Sequence, residues 1–386
     1  MENLIEKRKK ACVVAAGLVT AHHLAVVNAT STIVSLCASH STTARERRVK
    51  CGRYKRHGAI PPTLTSIWAR VDSSNVADEM EFFMFLGLSR ESFGELVEIC
   101  EESVLTNPLD RDCGRPSLKQ LKRRSYGPRG IMAMTVKWLS SCAEAKDLYP
   151  QFGVTSVVFR KSVELGLTSI VGNMDNEKMR VRWDRSVENM EKMAARTASF
   201  MDIPGVVGMI DGRKMQSLHP ADFYEQNRDY NGWTKEVNRN VVLLWDPYGK
   251  IVDAVINCPG NFHDSKSTLW GKIYEHIVDM PAGYVVVCDS AFETRGDLAG
   301  KLVKLKGDNQ GFAETSYEMS LTHLRQSSEW GNGVLVNSWR SLKAPLPTDN
   351  TKRALLMWSC VLMHNYRTET CDRNQIKTYF DMINEN

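Results

Sequence analysis

Two short apolar runs that each end at an aspartate constrain this chain most. Val206–Ile210 is followed by Asp211, and Tyr284–Cys288 is followed by Asp289. Both runs have the length and apolar character of buried strands. If the strands are parallel neighbours, their carboxyl ends meet at one edge of a sheet, where binding sites form. We therefore predict an acidic site at that edge.

The segment between the two runs predicts a hairpin followed by a helix. Val241–Trp245 and Ile251–Ile256 are strand-like and flank the turn Asp246–Gly249, which favours an antiparallel pair. Ser265–Ile277 has helical spacing. Three strands, a helix and then a strand beside the first is the ribonuclease H-like order, and we expect that fold.

A third acidic residue, Glu329, lies about 40 residues beyond Asp289, in a stretch that we expect to be helical from about Ser320. Converging carboxylates repel one another unless a cation lies among them. Hard oxygen ligands suit Mg²⁺ or Mn²⁺, and two such ions can activate a water and stabilise the leaving oxygen of a phosphodiester. We therefore predict Asp211, Asp289 and Glu329 as catalytic, metal-binding residues.

Each acid also has a simpler interpretation. Asp-Gly is a common turn dipeptide, and an aspartate at a strand end often only caps a turn or helix. Asp264 either caps the helix that follows it or acts as a further metal ligand or positioning group. No serine-nucleophile elbow, phosphate-binding P-loop or zinc-protease helix motif is present in the sequence, so those chemistries have no local support.

The region before residue 200 reads as helical. Ser89 is expected to cap a helix that carries Phe93 and Leu96 on one face. Further on, Ala143–Tyr149, the turn residue Gly153 and Thr155–Gly166 have the layout of a helix-turn-helix. Two interpretations remain open for this layout, contact with DNA and ordinary helix packing.

The N-terminal segment carries weaker signals. The apolar run within residues 11–39 is too interrupted for a membrane span; a signal peptide, a mitochondrial presequence and a plain extension all stay open. Residues 40–60 are basic and fit a nuclear localisation signal, a phosphate-contacting arm or a solvated linker. The 10 cysteines include no C-x-x-C pair, which suits a reducing cytosol or nucleus.

Ordered blocks of this sequence resemble the PIF/Harbinger-type transposases. The blocks begin with Val206–Gly212 and continue with Tyr230–Trp233, Asn240–Val242, Asp246–Ile251, Pro259–Ser265, Val287–Phe292, Arg325–Gly333 and Leu362–Asn365. They cover about residues 80–367. Two positions depart from the family pattern: Phe292 stands where tyrosine is usual, and Val336 where the family has a lysine.

The resemblance implies a ribonuclease H-like DDE domain that cuts DNA and transfers strands at transposon ends, using Mg²⁺ or Mn²⁺. It places the family's acidic triad on Asp211, Asp289 and Glu329. It also implies a helical DNA-binding region, double-stranded DNA as partner, a homo-oligomer and a separate Myb-like DNA-binding partner, in the nucleus and without a membrane. The lost lysine at 336 puts current transposition in doubt more than the fold.

We therefore expect an α+β protein in which a helical, helix-turn-helix-like region precedes a mixed sheet flanked by helices. The expected segments are a basic extension (1–62), a helical DNA-binding region (63–200), the nuclease domain (201–370) and a C-terminal tail (371–386). We expect four basic residues to contact phosphates, although each also fits a solvated surface: Arg213, Lys214, Lys235 and Arg295.

Two other functions stay open. The first is a decayed or domesticated element that binds DNA or protein without cutting. The second is a metal-dependent hydrolase of another phosphodiester, such as RNA.

Overall fold

The computed structural model describes residues 66–73, 79–109, 121, 124, 126–304, 315–371 and 374–385. The chain divides into two compact units, Met1–Ala59 with Leu105–Arg123, and Ile60–Val104 with Arg124–Asn386. The expected extension and basic linker, residues 1–62, lie outside the described residues.

Before residue 200, the described secondary structure is helical. The elements are α1 (Ile67–Asp72), α2 (Glu79–Leu86), α3 (Arg90–Thr106), α4 (Pro128–Ser140), α5 (Ala145–Leu148), a 3₁₀ turn (Tyr149–Phe152), α6 (Ser156–Gly172) and α7 (Val187–Arg196). The predicted cap at Ser89 is present, because its Oγ accepts a hydrogen bond from the Ser92 amide at 3.1 Å. Phe93 and Leu96 of α3 are fully buried.

Around Gly153 the structure has a 3₁₀ turn, the glycine and a following helix. This glycine has a φ of 61° and joins the 3₁₀ turn to α6, and Thr155 caps α6 by accepting from the Val158 amide. Along α6, Phe159 and Ile170 are buried, and the helix packs against α4. Its apolar face therefore serves the packing of this region, and a contact with DNA stays a prediction.

After residue 200 the structure is a mixed sheet flanked by helices. The strands are β1 (Val206–Gln216), β2 (Tyr230–Asn231), β3 (Glu236–Trp245), β4 (Ile251–Pro259), β5 (Val285–Cys288) and β6 (Leu302–Val303). The helices are α8 (Phe223–Asp229), α9 (Asp264–Trp270), α10 (Ile273–Val278), α11 (Ser316–Ser338), α12 (Asn350–Cys371) and α13 (Gln375–Glu385), with 3₁₀ turns at Gly296–Leu298 and Arg340–Lys343.

The strand order is β4–β3–β1–β5–β6, with β2 beside the start of β3. The strands β3 and β4 form the antiparallel pair that the turn chemistry predicts. Strand β1 is also antiparallel to β3. The strands β5 and β6 run parallel to β1, with β5 directly beside it. The predicted parallel pair therefore forms, and it brings the two Asp-terminated runs together.

Two sequence-based boundaries were wrong. The strand expected to end at Ile210 continues to Gln216, because β1 keeps its antiparallel pairing with β3 after its pairing with β5 has ended. The single helix expected over Ser265–Ile277 is two helices, α9 and α10. They are separated at Lys272, whose φ is 66°, next to Gly271, where a Cβ would overlap the Val255 side chain.

The sheet is covered on both faces. On one face, Val207 and Ile210 of β1 belong to a buried cluster with side chains of α7 and α10. Because side chains alternate along a strand, Asp211 points to the opposite face. There α11 packs against β1, β3 and β5. Helix α11 begins with a capping box between Thr315 and Glu318.

The C-terminal residues complete the domain. Residues 371–386, expected to form a tail, contain α13, because Ile376 and Phe380 form an apolar pair that is fully buried where α13 packs against α11. In α12, Asn365 bonds both backbone groups of Ile251 at 2.8 Å and His364 contacts the Gly249 carbonyl at 3.0 Å. The Leu362–Asn365 block thus holds the β3–β4 hairpin.

Among the described residues, no helix combines the length and apolar character that a bilayer crossing needs.

Two glycines of α11 predict opposite effects on stability. A Cβ at Gly331 would lie 2.7 Å from the Trp245 ring, whereas a Cβ at Gly333 would meet nothing within 4 Å. We expect Gly331→Ala to lower the free energy of unfolding by about 1–3 kcal/mol, through overpacking. Gly333→Ala should raise it by up to about 1 kcal/mol, since alanine favours a helix over glycine. Urea unfolding measures both, and equal effects of the two substitutions would contradict this packing.

Candidate active site

The β1–β5 ladder ends at a pair of aspartates. Its last paired residues are Ile210 and Cys288, so Asp211 and Asp289 are the next residues on two adjacent parallel strands. Neighbouring strands lie about 4.8 Å apart. The two carboxylates are therefore carried side by side, as the sequence predicts, although Asp211 lies within β1 instead of after its end.

Asp211 is partly buried and held by two donors. Its Oδ1 accepts from the Gly212 amide at 2.9 Å, and its Oδ2 accepts from the side-chain amide of Asn332 at 2.8 Å. Burial raises the pKa of the Asp211 carboxyl to about 7, a rise that these hydrogen bonds oppose and the charges of Asp289 and Asp264 increase. A proton or a cation at this position would relieve the electrostatic strain.

Asp289 uses one carboxylate oxygen in a local turn. Its Oδ1 accepts from the Ala291 amide at 2.7 Å, which fixes the side chain just after β5. Its Oδ2 has no hydrogen-bond partner within the described ranges. One oxygen thus positions the group and the other is open to a ligand.

Asp264 is held beside Asp211 by the backbone of β1. A Cβ at Gly212 would overlap the Asp264 carboxylate, so the glycine permits this close approach. Asp264 does not cap α9: the N-cap residue is His263, and no side-chain cap bond forms there. Its Oδ1 instead accepts from the Asn240 side chain at 2.8 Å, which leaves Asp264 as a positioned acid near Asp211.

Glu329 lies on α11, one turn before the Asn332 that bonds Asp211. The predicted helix is present and begins at Ser316. The Glu329 carboxylate, however, is about half exposed and forms an ion pair with Arg325 at 2.7 Å. In the part of the chain that the structure describes, no group of three or more His, Cys, Asp or Glu side chains forms a metal-binding cluster.

The donor set nevertheless fits a divalent cation. Asp211 and Asp289 offer hard carboxylate oxygens, which Mg²⁺ and Mn²⁺ prefer. Asp264 meets the Gly212 position, which faces the other side of β1 from the Asp211 side chain. Asp211 is partly buried, and the neighbouring acids raise its pKa; a bound cation would offset both the burial and the mutual repulsion. The chemistry of these residues therefore suits a divalent metal, with Asp211 and Asp289 as ligands from two adjacent strands.

The four basic residues predicted to contact phosphates have different surroundings. Arg213 is partly buried on β1 and has no hydrogen-bond or ion-pair partner among the described residues. Lys214 instead donates to the carbonyls of Gly260 and Phe262, at 3.3 and 3.2 Å, and so positions the loop before α9. Lys235 and Arg295 lie exposed in loops.

Sequence reasoning did not single out two asparagines that touch the acids. Asn332 contacts Asp211, and fully buried Asn240 contacts both Asp264 and Ser267, the latter at 2.9 Å. The signal that could have identified Asn240 is its position as a polar residue next to the apolar run Val241–Trp245. Asn332 lies three residues after Glu329 and therefore on a neighbouring helix position.

Comparison with known protein families identifies a match over the sheet domain. Residues 210–365 match the protein family described as DDE superfamily endonuclease. The match extends from the end of the β1–β5 ladder to the Leu362–Asn365 block and includes all four acids discussed above. It supports a DDE transposase-like nuclease domain in this part of the chain. No curated protein and no solved structure matches the chain.

The raised pKa of Asp211 predicts that this residue lowers the stability of the metal-free protein. From the ordinary value of 3.8 up to the folded value of about 7, the unfolded chain loses this proton first, so the free energy of unfolding falls as pH rises. Asp211→Asn removes the penalty. It should therefore raise the free energy of unfolding by about 1–3 kcal/mol at pH 8 and by less at pH 5. The figure is smaller than the full pKa rise implies, because solvent screens the partly exposed carboxylate.

Urea unfolding in EDTA at the two pH values measures this difference. Asp175→Asn is the matched control, because Asp175 is exposed and should change stability little at either pH. A loss of stability in Asp211→Asn at pH 8 would show that the carboxylate is a structural group.

Proposed function

We propose that the sheet domain is a ribonuclease H-like, metal-dependent DNA nuclease of the PIF/Harbinger type, which cuts and transfers strands at transposon ends. One observation carries the proposal: Asp211 and Asp289 are the first residues beyond the same parallel ladder. The DDE superfamily endonuclease match over 210–365 supports the nuclease chemistry.

The topology supports the fold assignment. Three antiparallel strands, β1, β3 and β4, are followed by helices and then by β5, parallel to β1 and beside it, with β6 next. This is the order that the sequence pattern led us to expect. The order of the blocks that resemble PIF/Harbinger-type transposases supports the finer family assignment.

Asp211 and Asp289 would hold Mg²⁺ or Mn²⁺, with Asp264 beside them and Glu329 completing the site. A bound divalent ion at such a site lowers the pKa of an attacking water and stabilises the oxygen that leaves the phosphodiester. For Asp211, a pKa of about 7 means that binding a cation at neutral pH releases a proton from a fraction of the molecules.

The proposal requires Glu329 to exchange its partner. Its ion pair with Arg325 is a partly exposed i,i+4 pair, and exposed pairs of this kind contribute about 0.3–0.5 kcal/mol. Helix α11 already lies beside Asp211 through Asn332, so the proposal requires that the Glu329 side chain turn from Arg325 toward Asp211.

The proposed chemistry is the one that the resemblance to PIF/Harbinger-type transposases implies. Water attacks a phosphodiester at the transposon end, the bond from phosphorus to the 3′-oxygen breaks, and a 3′-hydroxyl is released. That hydroxyl then attacks a phosphodiester of the target DNA in the same site, the target's own bond from phosphorus to its 3′-oxygen breaks, and a target 3′-hydroxyl is released. The positioned acids Asp211 and Asp289 serve both steps, since each step is an in-line displacement at phosphorus.

The cellular setting is part of the proposal. We place the protein in the nucleus as a homo-oligomer on double-stranded DNA, with a separate Myb-like protein to recognise the transposon end. The basic residues of 40–60 support nuclear import. The resemblance to PIF/Harbinger-type transposases supports the partner and the oligomer.

A non-cutting descendant of a transposase is the second candidate. Two observations favour it: Val336 stands where the family has a lysine, and Glu329 is paired with Arg325. Such a protein would bind DNA without cleaving it.

Nicking of a supercoiled plasmid tests the proposal. We expect nicking in Mg²⁺ or Mn²⁺ and none in EDTA. Asp211→Asn, Asp289→Asn and Glu329→Gln should each lower the rate at least about 100-fold, since each removes a ligand of the ion that stabilises the transition state. Asp253→Asn is a matched control on the neighbouring strand β4, where Asp253 pairs with His276, and should keep most of the activity.

DNA binding by the same variants, measured in EDTA, separates the two candidates. Binding without nicking in either metal would favour the non-cutting descendant. Nicking that survives in Asp211→Asn would place the chemistry elsewhere. Preference for an RNA duplex over DNA under identical conditions would indicate a hydrolase of another phosphodiester.

A further inference from the structure

A polar groove lies close in sequence to the acidic residues, although none of them lines it. It has a volume of about 410 Å³ and lies between β1 and α11. Its lining includes Arg213, Lys214 and Gln216 from β1, Val336 and Asn337 from α11, and Lys343 from the 3₁₀ turn after α11. Beyond Ile210, β1 has no pairing with β5, so the groove lies along a free strand edge.

The strand residues of the groove lie between two contacts of β1. Before them, Asn332 of α11 bonds Asp211 of β1 at 2.8 Å. At Gln216, the edge of β1 is closed by Leu346, whose amide donates to the Gln216 carbonyl at 2.8 Å and whose carbonyl accepts from the Leu218 amide at 2.9 Å. The strand side of the groove therefore begins two residues after Asp211.

Two groove residues follow Asp211 and Asn332 at spacings that keep them on the same faces of β1 and α11. Arg213 lies two positions after Asp211 and so on the same face of β1, about 7 Å further along. Val336 lies four positions after Asn332 and so on the same face of α11. Arg213 therefore follows Asp211 along the strand, and Val336 follows Asn332 along the helix.

The groove has free positive charge. Three cations line it and no acidic side chain does. Lys214 is bound to the loop before α9. Arg213 and Lys343, in contrast, have no hydrogen-bond or ion-pair partner within the described part of the chain, and Lys343 is exposed. Two unpaired cations in a polar groove suit an anionic ligand.

We propose that this groove binds the phosphodiester backbone of the DNA strand next to the cleavage site, with Arg213 and Lys343 supplying the cationic contacts. This inference rests on the proposed nuclease function and extends it. Val336 lines the same groove. It occupies the position where PIF/Harbinger-type transposases have a lysine. Arg213 and Lys343 therefore provide the charge that Val336 does not.

The expected effect is a change in the salt dependence of DNA binding. Each phosphate contact contributes about 0.9 to the slope of log K against log salt for duplex DNA. Arg213→Gln and Lys343→Gln should each lower the magnitude of that slope by about 0.9. Val336→Lys adds a cation to the groove and should raise it by a similar amount.

The measurement is fluorescence anisotropy with the full chain, a 40-base-pair duplex of arbitrary sequence and EDTA, over a series of KCl concentrations. Lys192→Gln is the matched control: Lys192 is an exposed lysine on α7, which packs on the opposite face of the sheet. It should leave the slope unchanged. Thermal unfolding checks that each variant is folded.

Unchanged slopes in both Arg213→Gln and Lys343→Gln, or an equal loss in Lys192→Gln, would overturn the groove proposal. Because the assay contains no metal, its result is independent of cleavage. Lowered slopes in a protein that never nicks DNA would uphold the groove and overturn the nuclease. Nicking by a protein with unchanged slopes would do the reverse.

Discussion

The parallel pairing of β1 with β5 stops at Ile210 and Cys288, and an aspartate follows on each strand. The rest of the site depends on this termination. Where the strands are paired, their side chains pack against the helices on the two faces of the sheet. Where the pairing ends, Asp211 and Asp289 lie side by side and one edge of β1 is unpaired. Helix α11 then approaches closely enough for Asn332 to bond Asp211, and the groove opens along the unpaired edge.

The burial of Asp211 and the negative charges near it determine what this site can bind. Asp211 is partly buried near two other acids, and its pKa rises to about 7. A structural aspartate is usually matched with cations or several donors, which favour its charged form. Asp246, in the β3–β4 turn, is also buried, and burial raises its pKa to about 6 although the amides of Tyr248 and Lys250 donate to its Oδ1 and the charges of Lys250 and Arg196 oppose the rise. Asp211 has donors too, but its neighbouring charges are negative, which suits a cation-binding group.

The sequence predicted the sheet and the position of two acids well, because apolar runs and turn residues are local signals. The end of β1 was misplaced because strand length depends on β3, a partner distant in sequence. Asn332 was not predicted, since its role arises only when α11 packs on β1. The rotamer of Glu329 was equally hidden: an i,i+4 arginine competes for its carboxylate, and sequence spacing does not show which partner holds it.

A crystal structure of the full chain soaked in Mn²⁺, with anomalous scattering to locate the metal, tests the central claim most directly. The account predicts manganese bound by carboxylate oxygens of Asp211 and Asp289, with Glu329 turned from Arg325 to join them. A manganese peak elsewhere, or no peak beside Asp211 while Glu329 remains paired with Arg325, would contradict it.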